Sequence, residues 1–244
     1  MTIALGLPCQ GGLLICADQE VSAQNPDSQT REQPDKQPDK QLDKYYEERI
    51  SCFDLFGSAV VSTYAGSHGL WKEANEKIAR RLLELQGPEE EGDVCVIPQA
   101  IYDSADEVFS AMGRPSNLQM LLGVGGVFDT PELFVFDRGA MHRATAVTCV
   151  GAPESSLIRY LADNLYSPSM NLEAAKNLGI YLISKAAQYV SGVGAPIDAV
   201  VITGHQPEWL GDTEIKQREA AMLSREKALL KQILGPPSSP ATWP

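Results

Sequence analysis

Thr2-Ile3-Ala4-Leu5-Gly6-Leu7, then Pro8-Cys9-Gln10-Gly11-Gly12, then Leu13-Leu14-Ile15-Cys16-Ala17-Asp18: these residues decide how the rest of the chain is read. Ile3, Leu5 and Leu7 alternate with small residues, the period of a half-buried strand. Pro8 and the Gly11-Gly12 pair punctuate the chain, and a continuous apolar run follows. The stretch reads as a β-hairpin that ends on a carboxylate. A chain that begins in a strand ties down a terminus that otherwise frays.

That matters because threonine follows Met1. Its side chain is small enough for aminopeptidases to remove the initiator methionine, which makes Thr2 the expected mature terminus. An N-terminal threonine carries nucleophile and base in one residue: the hydroxyl attacks and the α-amine takes the proton. The amine's reference pKa of about 7.7–8.0 needs little tuning for that role. Two strands side by side bring Asp18 back toward Thr2. Met-Thr is also an ordinary start, and an aspartate that merely ends a strand needs no catalytic reason.

Thr2 through Asp18, with Gly12-Leu13-Leu14-Ile15-Cys16-Ala17-Asp18 as its second half, resembles the mature start of proteasome β-type subunits and their bacterial relatives. Those proteins open with Thr, run a short hairpin, and reach an Asp in a small-apolar-Asp context; here the spacing matches without a gap. Further echoes are Thr63-Tyr64-Ala65-Gly66-Ser67, Phe134-Val135-Phe136-Asp137-Arg138-Gly139, Val150-Gly151 and Ser191-Gly192. The resemblance covers residues 2–204 and leaves 205–244 as a C-terminal helix and tail. It implies an α+β fold, the four-layer α-β-β-α sandwich of N-terminal-nucleophile hydrolase type. It also implies a protein or peptide substrate, a homo-oligomeric ring or spiral, and an unfoldase as candidate partner.

The 244 residues suffice for one sizeable core, so one domain with a tail is expected. The formal charge of −12 argues against nucleic acid or an anionic membrane as the main partner. No basic region precedes the first apolar stretch, as a signal peptide requires, and no apolar run reaches membrane-spanning length. The five cysteines are odd in number and form no C-x-x-C pair, which fits reduced thiols in a cytoplasmic protein. His68, His142 and His205 lack ligand-like spacing, so neither metal nor cofactor is expected.

Residues 23–46 contain three near-copies of one tetrapeptide, Gln33-Pro34-Asp35-Lys36, Gln37-Pro38-Asp39-Lys40 and Gln41-Leu42-Asp43-Lys44. Proline in two copies and the low apolar content predict a solvated loop insertion. Ser58 to Tyr64 reads as a buried strand. Ser67 can cap a helix with Leu70, Ala74, Ile78 and Leu82 on one face. A second helix is predicted from Pro98 to Met112, with Ile101, Ala105, Val108 and Met112 inward. Strands are predicted over 118–128 and 132–137, then one ending near Val150. Gly123, Gly125 and Gly126 lack the spacing of a dinucleotide fingerprint and fit bulges or close packing better. Helices over 153–165 and 172–190 and a strand over 197–203 follow. Asp212 to Leu234 is a charge-rich helix with an imperfect apolar stripe, destined for its own domain or a neighbouring subunit. By themselves these local patterns permit other α+β arrangements.

In the resembled family the Thr hydroxyl attacks a peptide carbonyl, an ester forms, and water releases it. A lysine beside the Asp holds positive charge near the nucleophile. That position falls near Arg49, given a short gap; Arg supplies charge but is planar and always protonated, so it does not replace lysine by default. Arg49 reads equally as a strand-edge charge, and Lys44 lies nearby in the polar loop. The Gly66 backbone N–H falls at the family's oxyanion hole, where losing one donor typically costs about 10²–10³ in rate; glycine also suits a plain strand-to-helix turn. Ser191 matches the serine near the Thr amine. Val21, Ser22, Tyr64 and His68 fall at substrate-binding positions, the last two as pocket walls or as ordinary packing residues. Gln188 stands where the family has aspartate, and Ala152 where it has serine. Three functions therefore stay open: a threonine endopeptidase, a silent proteasome-like structural subunit, and a small-substrate amidase.

Overall fold

The computed structural model describes residues 2–23, 43–46, 49–55, 58–85, 97–125, 130–151, 156–204 and 207–234. The opening hairpin is present as β1 (Ile3–Cys9) and β2 (Gly12–Asp18), antiparallel, with Ala4 opposite Ala17 and Cys9 opposite Gly12. The remaining elements in chain order are β3 (Glu20–Ala23), β4 (Asp43–Tyr46), β5 (Ile50–Leu55), β6 (Ser58–Gly66), α1 (His68–Leu85), α2 (Ile97–Ala111), β7 (Leu118–Gly125), β8 (Glu132–Asp137), β9 (Ala140–Ala144), β10 (Thr148–Gly151), α3 (Ser156–Leu165), α4 (Leu172–Tyr189), β11 (Ile197–Ile202), β12 (Pro207–Trp209) and α5 (Asp212–Leu234).

Two five-stranded sheets, ordered β10-β1-β2-β11-β12 and β5-β6-β7-β8-β9, stack face to face. The two-residue period of the strands sorts side chains into three cores. Ile3, Leu5, Leu7, Leu14 and Cys16 face α3, α4 and the start of α5. Ala4, Leu13, Ile15 and Ala17 face the second sheet, meeting Val61, Ala65, Leu121 and Leu133. Val60, Tyr64, Met120 and Leu122 face outward again, under Trp71, Ala74, Ile78 and Leu82 of α1 and Ile101, Ala105 and Phe109 of α2. The result is a four-layer α-β-β-α sandwich, as expected.

The first strand departs from its expected half-burial. Its small residues face not solvent but the second sheet, and Ile3 through Leu7 are all buried. Small side chains there let the sheets approach: a Cβ on Gly6 would come within 2.6 Å of Leu133, and one on Gly123 within 2.6 Å of Ile15. Close packing therefore explains the glycines of β7. The stretch expected to run as one strand to Val150 is two, β9 in the second sheet and β10 in the first. The chain switches sheets between them, which no local periodicity reports. Within the stretch expected as a loop insertion, Ala23 and 43–46 are strand: β3 and β4 pair with Val21 opposite Tyr45. The tetrapeptide repeats before Asp43 lie outside the described residues.

The first half of α5 docks on α4: Ile215 is buried, Ser184 Oγ donates to Glu219 at 2.8 Å, and buried Lys185 pairs with Glu226 at 2.5 Å. From Lys227 to Ile233 the helix is exposed. No described helix is long and apolar enough to cross a membrane.

Candidate active site

Because β1 is flanked on both sides, by β2 and β10, Thr2 enters the fold inside a sheet rather than at its edge and is only 8% exposed. Asp18, at the far end of the hairpin, is fully buried. Its Oδ1 accepts the Ile3 N–H at 2.8 Å, so the carboxylate closes the ladder where β1 begins and grips the peptide that follows Thr2. Its Oδ2 accepts the Gly194 N–H at 3.3 Å, from the turn that leads into β11.

Burial pushes the Asp18 carboxyl up to about 6, while the N–H groups of Ile3 and Gly194 and the nearby Arg49 charge pull the other way. The folded chain thus holds a proton on Asp18 more tightly than the unfolded chain, for which the ordinary value is 3.8. Its contribution to stability is fully present below that ordinary value and is lost as pH rises through about 6, a change of about 3 kcal/mol at most. An activity at Thr2 would run the opposite way, because a protonated carboxyl loses one of its two N–H acceptor oxygens. Any Thr2-dependent rate should fall on acidification through about pH 6; a rate flat from pH 8 to about pH 5 would remove Asp18 from the site.

Arg49 is 3% exposed and sits at the entry to β5. Its Nη1 donates to the Tyr64 hydroxyl at 2.6 Å, and its guanidinium lies 4.9 Å from the Tyr64 ring centre. The same hydroxyl lies 2.6 Å from His68 Nδ1. Arginine can only donate, so the phenol oxygen accepts from Arg49, and the direction of its second bond, to His68 Nδ1, is set by the imidazole tautomer. Tyr64 is wholly buried and stacks on Trp71 at 4.4 Å. It is therefore the middle of an Arg49–Tyr64–His68 relay rather than an open wall.

Gly66 ends β6 with φ +102°, and a Cβ there would lie 2.1 Å from the Asn117 carbonyl oxygen. That carbonyl accepts the Ser67 N–H at 3.0 Å, and Ser67 Oγ in turn caps α1 at Leu70 N, 3.4 Å away. Only glycine fits this turn, whatever its catalytic use.

The described geometry thus brings Thr2, Asp18 and Arg49 together, with Tyr64 and His68 behind Arg49. Ser191 lies on the exposed turn after α4 and makes no hydrogen bond to Thr2 or Asp18 among the described residues. Gln188 is exposed and accepts from Lys185 Nζ at 3.3 Å. Val21 and Ser22 lie in β3, opposite Tyr45 and Lys44; their side chains, and Ala152, fall outside the described residues. Two groups escaped the sequence reading: the Gly194 N–H and Gln119, which accepts from Gly151 N at 2.9 Å. Both act across long sequence separations, and neither residue type carries a local signal. Burial pushes the Cys16 thiol up and the Cys149 thiol to about 12, so neither competes as a nucleophile. Among the described residues no His, Cys, Asp and Glu cluster could hold a metal ion.

No protein-family model and no curated protein matches the chain. Solved structures do share its fold. Anbu from Yersinia bercovieri, described as an ancestral beta-subunit, superposes with a TM-score of 0.69 at 14% identity, covering 98% of this chain and 99% of that one. A Gly-1 mutant of Anbu from Hyphomicrobium sp. strain MC1 gives 0.68 at 17% identity, covering 96% and 100%. The helical assembly of the Anbu complex from Pseudomonas aeruginosa gives 0.68 at 15% identity, covering 99% and 100%.

Proposed function

We propose that this chain is a proteasome-like threonine endopeptidase whose nucleophile is Thr2, exposed by removal of Met1. The observation that carries the reading is the buried Asp18 carboxylate holding the Ile3 N–H, directly after Thr2, with Arg49 nearby. In the proposed reaction the Thr2 hydroxyl attacks the peptide carbonyl and its proton passes to the α-amine. The oxyanion forms against the Gly66 N–H, the amine product leaves with that proton, and water hydrolyses the ester. Arg49 contributes fixed positive charge and takes no proton.

An electrophilic peptide that needs both hydroxyl and amine tests this. Intact mass should show loss of Met1 and one adduct per chain, mapped to Thr2. Retained Met1, or no adduct on the assembled protein, would sink the proposal.

A silent structural subunit is the second reading, favoured by the exposed Ser191 and by Gln188 engaged with Lys185 away from Thr2. Both readings call for a homo-oligomer. Leu157, Tyr160 and Leu165 of α3 and Leu229, Leu230 and Ile233 of α5 are exposed apolar side chains that a second copy would cover. A fold-mate forms a helical assembly, which supports the same state here. Native mass spectrometry at micromolar concentration should show a species larger than a dimer; a stable monomer would refute assembly.

A further inference from the structure

We propose that Gln119 is a positioning residue for Thr2, tying the end of β10 to the start of β7. The inference rests on the reading of Thr2 as nucleophile and adds a residue that reading does not contain. Thr2 belongs to the first sheet and the Gly66 turn to the second. Between the sheets lie Ala4, Ala17, Ala65 and Val150, whose contacts are apolar and carry no direction. Chemistry between a nucleophile on one sheet and a donor on the other needs placement to within about 0.5 Å. A directional tie is required, and Gln119 supplies one.

Gly151 is the last residue of β10, and a Cβ on it would lie 2.1 Å from the Thr2 carbonyl oxygen. Its N–H leaves its own sheet and donates to Gln119 Oε1 at 2.9 Å. Gln119 Nε2 donates to Asp137 Oδ1 at 2.6 Å. A carboxylate only accepts, so Asp137 orients the amide with its oxygen toward Gly151. Two residues earlier the Asn117 carbonyl holds Ser67 N, beside Gly66. The first turnings of one strand thus touch both halves of the site. An aliphatic residue at 119 would fill the space and leave the Gly151 N–H unsatisfied.

The test compares wild type with Gln119→Glu, Asp137→Asn and the double variant, all as full-length assembled protein. Gln119→Glu keeps an acceptor for Gly151 but sets a carboxylate against Asp137; adding Asp137→Asn restores a donor facing an acceptor. Labelling of Thr2 by the electrophilic peptide should slow about tenfold to 100-fold in Gln119→Glu, with peptide affinity unchanged, while Asp137→Asn, whose Oδ1 still accepts from Gln119 Nε2, should stay within about threefold of wild type. The double variant should recover to within about threefold of wild type. Hydrogen exchange, read in peptides containing Ile3 and Gly151, should accelerate about tenfold or more in Gln119→Glu while global stability moves little. It should return in the double. A Gln119→Glu variant that behaves as wild type, or a double variant no better than Gln119→Glu, overturns the proposal. A wild type that takes no label removes the nucleophile reading alone, and exchange then decides Gln119 by the same criteria.

Discussion

Thr2→Ala should abolish peptide hydrolysis, a loss of about 10⁴-fold or more in kcat, with the fold intact. The alanine keeps the α-amine and the Ile3 N–H that Asp18 holds, so both the strand and its anchoring bond survive. What disappears is the hydroxyl alone. Thermal unfolding should move by only a few degrees at most, and Thr2→Ser should retain measurable turnover because it keeps hydroxyl and amine together. Kinetics on a peptide substrate, with circular dichroism of each variant, separates lost chemistry from lost structure. Undiminished hydrolysis by Thr2→Ala would place the activity elsewhere or in a contaminant.

Gly151→Ala should destabilise the protein by about 3 kcal/mol or more. The backbone there has φ +123°, where an L side chain is strained, and the added methyl would meet the Thr2 carbonyl oxygen at 2.1 Å and the Ile3 Cα at 3.0 Å. Relief requires moving either β1, inside the sheet, or β10 at its edge, and both strands carry packing on each face. Gly11→Ala is the control. It shares a positive φ, +84°, but meets nothing within 4 Å, so strain is its whole cost, about 1–2 kcal/mol. Denaturant midpoints for the two variants measure the difference. Equal midpoints would show that the Gly151 contact relaxes without penalty.

What the sequence makes legible follows from what is local. Ile3, Leu5 and Leu7 announce a strand, Gly11-Gly12 its turn, and the matched spacing to Asp18 places the carboxylate beside the first peptide of β1. The 3.6-residue stripe of Ala74, Ile78 and Leu82 likewise finds its face. Ala4 and Gly6 mislead, because a small side chain facing a second sheet looks in sequence like one facing water. The switch of sheets between Ala144 and Thr148 is invisible, since both strands read as β and only tertiary packing assigns them. Gly194 and Gln119 remain hidden for a related reason: each contributes a hydrogen bond whose partner is distant in sequence. Tyr64 could be singled out from its motif, yet its place between Arg49 and His68 depends on β5 lying alongside β6.

The placement of β1 between β2 and β10 has a consequence in the order of synthesis. Residues 3–9 leave the ribosome early, yet of their sheet only β2 follows at once; β10 and β11 come from residues 148–151 and 197–202. The Gly194 N–H that holds Asp18 arrives after every strand of the second sheet, which is complete by Ala144. The second sheet can therefore form while the hairpin bearing Thr2 still waits for its neighbours. A nascent chain released before residue 194 carries the threonine and the aspartate but lacks the second N–H that holds the Asp18 carboxylate. On the proposed function, the order of translation would keep Thr2 without its full surroundings until the protein around it is finished.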